Sequence, residues 1–253
     1  MAIADLPGYV QGFVFSDASS ATYESGVFKN QSPYGPGPGG IADITLTVGT
    51  PSFATTNGQK GVILDNTVQG NFVPALPWEC AVITVMKPNM TTNTSIYPVI
   101  LGGSASISSN GRIYITRTPS IRHGITTPSS QSIGQEDYGS LAGSSDMKVT
   151  AFEQSQETRR SYSTRDGVTV TASAALADAG NGLGLAWGST GGAAGGVRAR
   201  FGNISGTIGD TAASVNPMEL YELHFFKPGL LRDAGSLALL AAEMAALKTK
   251  YGL

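Results

Sequence analysis

The sequence predicts an all-β chain folded as a two-sheet antiparallel sandwich and closed by one C-terminal helix. Three observations carry this reading. Thirty-three glycines and 13 prolines gather in punctuating clusters, with short β-competent runs between them, as in all-β chains. Only the segment after Leu231 repeats its apolar residues at helical steps. No internal repeat at a period of roughly 20 to 50 residues is visible, which disfavours propellers and solenoids. At 253 residues the chain suits one large β domain, and residues 1–253 are read as a single unit.

Taken in order, Val10 to Phe15 supplies a first strand with a bulge at Gly12. Residues 26–40 include Ser32-Pro-Tyr-Gly-Pro-Gly-Pro-Gly-Gly40, where proline lacks the ladder donor and glycine adds backbone entropy. That segment reads as a surface loop, or as an arm that orders on assembly through Phe28 and Tyr34. Further strands are expected at Ile44 to Val48, Val62 to Leu64, Cys80 to Lys87, Tyr97 to Gly102, Arg112 to Arg117, Lys148 to Gln154, Ser161 to Arg165, Val168 to Thr171, Leu183 to Trp187, Val197 to Ile204 and Leu220 to Lys227. Asp166-Gly167 marks a hairpin between two of them, since Asp-Gly tolerates positive φ, and this sets Tyr162 and Thr164 on one face. Residues 232–251 form the helix: Asp233 or Ser236 caps its start, Lys248 and Lys250 suit the negative end of its dipole, and Gly252 stops it. Leu237, Leu240, Met244, Leu247 and Tyr251 make one apolar stripe. The stripe fits packing on the chain's own sheet, or a short coiled-coil seam.

Charge is scarce. Sixteen basic and 18 acidic residues make up 13% of the chain, where soluble domains carry about 25%. With 41% hydrophobic residues and a net charge of −2, the composition is not that of a disordered chain. Basic residues cluster only at Arg159-Arg160 and at the spaced Arg112, Arg117 and Arg122, which disfavours a nucleic-acid partner. No apolar run is long enough for a membrane helix and no signal peptide opens the chain, so synthesis in a cytoplasm is expected. The N-x-[ST] triplets at Asn30, Asn89, Asn93 and Asn203 are then coincidental. A lone Cys80 excludes an internal disulfide framework and reads as a small buried thiol.

Five stretches, taken together and in order, resemble a known family. They are Leu6-Pro-Gly-Tyr-Val-Gln-Gly-Phe-Val-Phe-Ser-Asp17, Asn57-Gly-Gln-Lys-Gly-Val-Ile-Leu-Asp-Asn66, Ala81-Val-Ile-Thr-Val-Met-Lys-Pro88, Met147-Lys-Val-Thr-Ala-Phe152 with Tyr162 to Val168, and Glu219-Leu-Tyr-Glu-Leu-His-Phe-Phe-Lys-Pro-Gly-Leu-Leu-Arg-Asp233 before a helix ending in Lys-Tyr-Gly252. The likeness is to the concanavalin A-like jelly rolls, specifically the laminin-G-like domains common in bacterial and phage proteins. It implies two antiparallel sheets of six or seven strands, a concave face and a C-terminal helix against the sandwich. A stand-alone domain of this type, without signal peptide or disulfides, looks like the laminin-G-like proteins of bacteriophage virions. The implied setting is the virion, with other virion subunits as partners in a homo-oligomer or symmetric assembly. This fold hosts lectins, glycosidases, lyases and structural modules alike, so function has to come from the site.

An enzyme of this fold needs two carboxylates about 5 to 5.5 Å apart for retention or about 6.5 to 9.5 Å for inversion. Glu153 and Glu157 are four residues apart, roughly 13 Å along a strand. Glu219 and Glu222 are expected on opposite faces of a regular strand, and Glu136-Asp137 in a loop. Glu222 and His224, two apart, share a face. They allow acid–base chemistry in a polysaccharide-active hydrolase or lyase, or are packed strand residues. His123 sits in an expected loop without zinc-ligand neighbours. The fold admits calcium, but Asp65-Asn66 and Asp210 lack the dense oxygen spacing of such a site; no cofactor is expected. For glycan binding, a neutral surface with Tyr34, Tyr97, Tyr138 and Trp187 near loops is suitable, and Tyr114, Arg117, Tyr162 and Trp187 are the candidate contacts for a host-surface glycan. Trp78 and Trp187 also suit a core. The same composition fits subunit packing, or a cytosolic carbohydrate-binding module.

Overall fold

The computed structural model describes residues 2–15, 23–29, 43–65, 67–73, 80–88, 99–103, 112–117, 121–126, 132–138, 146–155, 157–158, 160–175, 199–202 and 217–253. Its strands are β1 Tyr9–Val14, β2 Tyr23–Glu24, β3 Val27–Phe28, β4 Asp43–Val48, β5 Phe53–Thr56, β6 Gln59–Leu64, β7 Gln69–Val73, β8 Ala81–Pro88, β9 Val99–Gly103, β10 Arg112–Arg117, β11 Ile121–Thr126, β12 Ser132–Tyr138, β13 Lys148–Ser155, β14 Arg160–Thr164, β15 Thr171–Ala172, β16 Ala199–Phe201 and β17 Met218–Phe226, followed by helix α1 Ala234–Tyr251. They form two antiparallel sheets. One has eight strands in the order β15-β14-β13-β8-β17-β6-β5, with β1 also on β17; the other has nine, β12-β11-β10-β9-β16-β7-β4-β3-β2. This is the two-sheet jelly-roll sandwich with one C-terminal helix that the sequence predicts.

The eight-stranded sheet is covered on both faces. Val82, Met86, Phe152, Met218, Leu220, Leu223 and Phe225 enter the core that also holds Phe28, Ile44 and Phe201 of the second sheet. Ala81, Ile83, Val85, Val149, Ala151, Tyr221 and Phe226 instead pack with Leu240, Met244, Leu247 and Tyr251 of α1. Strand alternation sorts one sequence into these two cores. Every residue of β17 is therefore buried, a pattern more usual in parallel sheets.

The helix stripe lies on its own sheet: Leu240, Met244, Leu247 and Tyr251 are buried and Leu237 packs beside them. Asp233 is the cap, accepting from Ser236 N at 2.7 Å, and Gly252 closes the other end at φ 71°. Both termini are also pinned from outside. Glu153 accepts from Gly229 N and Leu231 N, each at 2.8 Å, and from Arg232 Nε at 2.6 Å. Asn57 Nδ2 donates to Tyr251 O at 2.9 Å.

Several elements differ from expectation. Strands β2, β3, β5, β7, β11 and β12 join the sheets where the sequence reading had none. The proposed arm begins inside the sandwich: Val27 and Phe28 pair with Thr45 and Ile44, and Phe28 is wholly buried, while residues 30–40, Tyr34 included, lie outside the described residues. His123 is on β11, paired with Ile115 and Gln135, and Glu136 is on β12, paired with Arg122, so neither is in a loop. The hairpin at Asp166-Gly167 is wider than a two-residue turn, because the last pairs are Tyr162 with Ala172 and Ser163 with Thr171. Asp166 Oδ1 instead accepts from Val168 N and Thr169 N, both at 2.8 Å, and organises the loop. Gly167, at φ 73°, lies so near α1 that a methyl group would stand 2.4 Å from Ala241 Cα. The expected strand at Leu183 to Trp187 lies outside the described residues.

Candidate functional site

The acid–base candidates Glu222 and His224 are on β17, on the side covered by α1. Between Leu220 and Glu222 the pairing with β8 slips by one residue. That bulge at Tyr221 corrects the expectation for Glu219: it and Glu222 share the helix side, each hydrogen-bonded to a tyrosine of the ring pair Tyr221–Tyr251. An extra residue resets strand parity, which spacing alone could not reveal. His224 Nε2 donates to Glu222 Oε2 at 2.8 Å, and the other oxygen accepts from Lys250 Nζ and, at 2.7 Å, from Tyr251 OH. Glu222 and His224 are 2% and 1% exposed. Burial alone would raise the Glu222 carboxyl, but the His224 hydrogen bond and the His224 and Lys250 charges outweigh it and hold it at about 2. His224 Nδ1 is buried without a hydrogen-bond partner. Gly12, its register partner on β1, leaves room for the ring, since a methyl there would lie 2.2 Å from Nδ1. Chemically this is a buried, ionised carboxylate fastening the last turn of α1.

The other carboxylates are similarly engaged. Glu153 and Glu157 share Arg232, at 2.6 and 2.9 Å. Glu219 accepts from Thr56 Oγ1 at 3.0 Å, pairs with Lys87 at 3.3 Å and receives the Tyr221 hydroxyl. Burial, with that hydrogen bond to Glu219, pushes the Tyr221 phenol above its ordinary value. Burial likewise raises Glu243, and the negative charge of Glu222 across the helix–sheet contact raises it further. Asp65 accepts from Thr67 N at 3.0 Å within its own turn; Asn66 and Asp210 lie outside the described residues. Among the described residues no three His, Cys, Asp or Glu side chains group as a metal site.

The glycan candidates fall in different places. Tyr114 and Arg117 are on β10 of the nine-stranded sheet, three residues apart and so at alternate-face positions. Tyr162 is on β14 of the eight-stranded sheet, packed at the helix-side core, with its hydroxyl donating to Thr158 Oγ1 at 2.9 Å. Trp187 lies outside the described residues, as do Trp78 and Tyr97; Tyr138 is on β12. What the sequence reading missed is the company Tyr114 keeps. Across β10, β11 and β12 the register aligns Tyr114 with Gly124 and Gly134, Thr116 with Arg122 and Glu136, and Arg112 with Thr126 and Ser132. The period-two isoleucines at 113, 115, 121, 125 and 133 were the available signal.

No protein-family model and no curated protein matches the sequence. Solved structures do match in fold. Domain 4 of AbnA, a GH43 extracellular arabinanase from Geobacillus stearothermophilus, determined in complex with arabinotriose, aligns with a TM-score of 0.56 and 12% identity over 94% of this chain and 100% of that one. The receptor-binding domain of botulinum neurotoxin mosaic serotype C/D aligns with a TM-score of 0.57 and 10% identity over 97% of this chain. The serotype D binding domain gives 0.57 and 10% over 94%. This chain spans 52% of each of those two toxin chains. At such identities the shared property is architecture: this chain carries the same kind of two-sheet β sandwich as these domains.

Proposed function

We propose that this chain is a non-catalytic glycan-binding module that serves as a structural subunit of a bacteriophage virion and meets host-surface glycan there. The observation that carries the non-catalytic reading is the fate of Glu222 and His224. Both are buried beneath α1, and both carboxylate oxygens are engaged by His224, Lys250 and Tyr251. A general acid must reach the glycosidic oxygen, and this pair faces a helix. Support for glycan comes from the fold shared with an arabinanase domain in complex with arabinotriose and with a botulinum neurotoxin C whose cell entry depends on two ganglioside molecules. The low charge supports assembly, because few charges need desolvating when neutral surfaces pack.

The purified chain should bind neutral oligosaccharides in calorimetry and release no reducing ends from capsule or cell-wall polysaccharide. Depolymerisation by the pure chain would establish an enzyme instead. Mass spectrometry of the purified particle should return peptides of this chain, and a particle lacking them removes the virion setting.

A further inference from the structure

We propose that the outer face of α1 is a self-association surface, on which a second copy of this chain lays its own α1 antiparallel across a two-fold axis at Ala242. The proposal deepens the subunit reading above by naming a partner and a place. One side of α1 closes the second core; the opposite side is turned away from the sheet and carries no charge. Gly235, Leu239, Ala242, Ala246 and Thr249 are all exposed and recur at alternating four- and three-residue steps, the spacing of a helix–helix seam. Ala238 and Ala245 widen it on one flank. Between Asp233 and Lys248 the sole charged residue is Glu243, and it is buried. The exposed apolar surface gathers here as well. Among the described residues the exposed large hydrophobic side chains are Leu239 on α1, Leu253 just after it, and Val168. Val168 follows Gly167, where a methyl group would stand 2.4 Å from Ala241 Cα, so its loop abuts the helix. A surface helix ordinarily turns charged and polar residues to water; an uncharged face beside an exposed leucine and valine marks a contact.

The charges at the two ends of α1 identify the partner. Asp233 and the largely exposed Glu157 lie at its start, and Lys248 and Lys250 at its end. A second α1 laid antiparallel and centred on Ala242 brings Lys250 of each copy to Asp233 of the other, and sets the two helix dipoles head to tail. A parallel copy would set lysine against lysine and aspartate against aspartate. The register that joins these ends also lays the seam on itself: Ala242 meets its own counterpart, Ala238 meets Ala246, and Gly235 meets Thr249. Such self-complementarity is the condition for a closed two-fold dimer, and small side chains along the seam let the helix axes approach to about 8 Å. The face is modest in area. At 18 residues α1 is about 27 Å long, so a strip about 10 Å wide covers about 300 Å² per copy, against about 800 Å² in a standard stable interface. Two copies therefore associate weakly in solution, and firmly only where further contacts add, as in a symmetric assembly.

Ala242 is exposed, so substitution there tests the axis without disturbing the core. Sedimentation of the unaltered chain should show a monomer–dimer equilibrium that shifts to dimer as concentration rises. Ala242→Glu and Ala242→Lys should each weaken it tenfold or more at a nearly unchanged melting temperature, because both residues suit a helix while like charges then meet across the axis. Mixing the two variants in equal amounts should restore the dimer. Ala242→Cys should give a disulfide-linked dimer under mild oxidation. Ala238→Cys should not, since antiparallel pairing separates its two thiols by about 12 Å along the helix, beyond the roughly 7 Å between Cα atoms that a disulfide spans. The native Cys80 is buried and takes no part. An unaltered chain that stays monomeric at every attainable concentration overturns the proposal and leaves the virion setting to the mass spectrum of the particle. Dimers that survive both charge variants, that fail to return on mixing, or that cross-link through Ala238→Cys in preference to Ala242→Cys overturn it as well. So does a monomer in which the Ala242→Cys thiol is shielded from a thiol reagent, because another segment of the same chain then covers α1.

Discussion

Glu222 ties three side chains into one hydrogen-bonded cluster, and its lowered pKa makes that cluster pH-dependent. Ordinarily near 4.5, the group is held at about 2 in the folded chain. Its contribution is therefore complete above pH 4.5 and is lost as the pH falls toward 2, roughly 3 kcal/mol by linkage. Glu222→Gln should lower the melting temperature at pH 7 and flatten its decline between pH 4.5 and 2, measured by calorimetry across that range. Glu243 has the opposite sign. Burial raises it, so folding favours its neutral form, and that contribution fades as the pH rises through its folded pKa. Glu243→Gln should then raise the melting temperature at pH 7 and give no gain below pH 4. Equal effects of the two substitutions at both pH values would show that neither charge is coupled to folding.

At the scale of elements, α1 is the lid of the second core. Ending the chain after Leu231 should uncover Ile83, Val85, Val149 and Phe226 and yield an insoluble chain or one with a sharply lower melting temperature. Met244→Ala should cost about 2–5 kcal/mol in denaturant unfolding. A truncated chain of full stability that loses only self-association would make α1 an oligomer contact. The helix was legible in the sequence because its stripe, cap and stop are all local signals. The hairpin β5–β6 was equally local: Asn57 and Gly58 adopt φ of 51° and 74°, the positive pair that Asn-Gly favours in tight hairpins, yet the preceding Phe53–Thr56 was passed over. Strands β11 and β12 were hidden by Pro119, Pro128 and the strand-interior glycines, which read as punctuation. The shared face of Glu219 and Glu222 was beyond reach, since a bulge is fixed by pairing partners more than a hundred residues away. For the same reason Tyr114 could be singled out while its row across two other strands could not.

At the scale of the molecule, the eight-stranded sheet lies between two cores and its strands β8 and β17 have hardly an exposed residue. Their amides should be the last to exchange in the native chain, with protection close to the global stability; earlier exchange there than in α1 would place the stable unit elsewhere. Strand β17 also has a divided edge. Its first residues, Met218 to Leu220, pair with β6, and Glu222 to Phe226 pair with β1 on that same side. The bulge marks the changeover. Consider then the order of synthesis. The ribosome delivers β1, with Phe13 and Phe15 bound for the core, some two hundred residues before β17, the strand that receives it. Neither β6 nor β8 can substitute, for each finds its own place against β17. Until β17 has emerged, a nascent chain must therefore carry these aromatic residues without their native strand partner. It should associate with holding chaperones until Met218 to Phe226 emerge, and a chain arrested on the ribosome before residue 217 should remain protease-sensitive throughout.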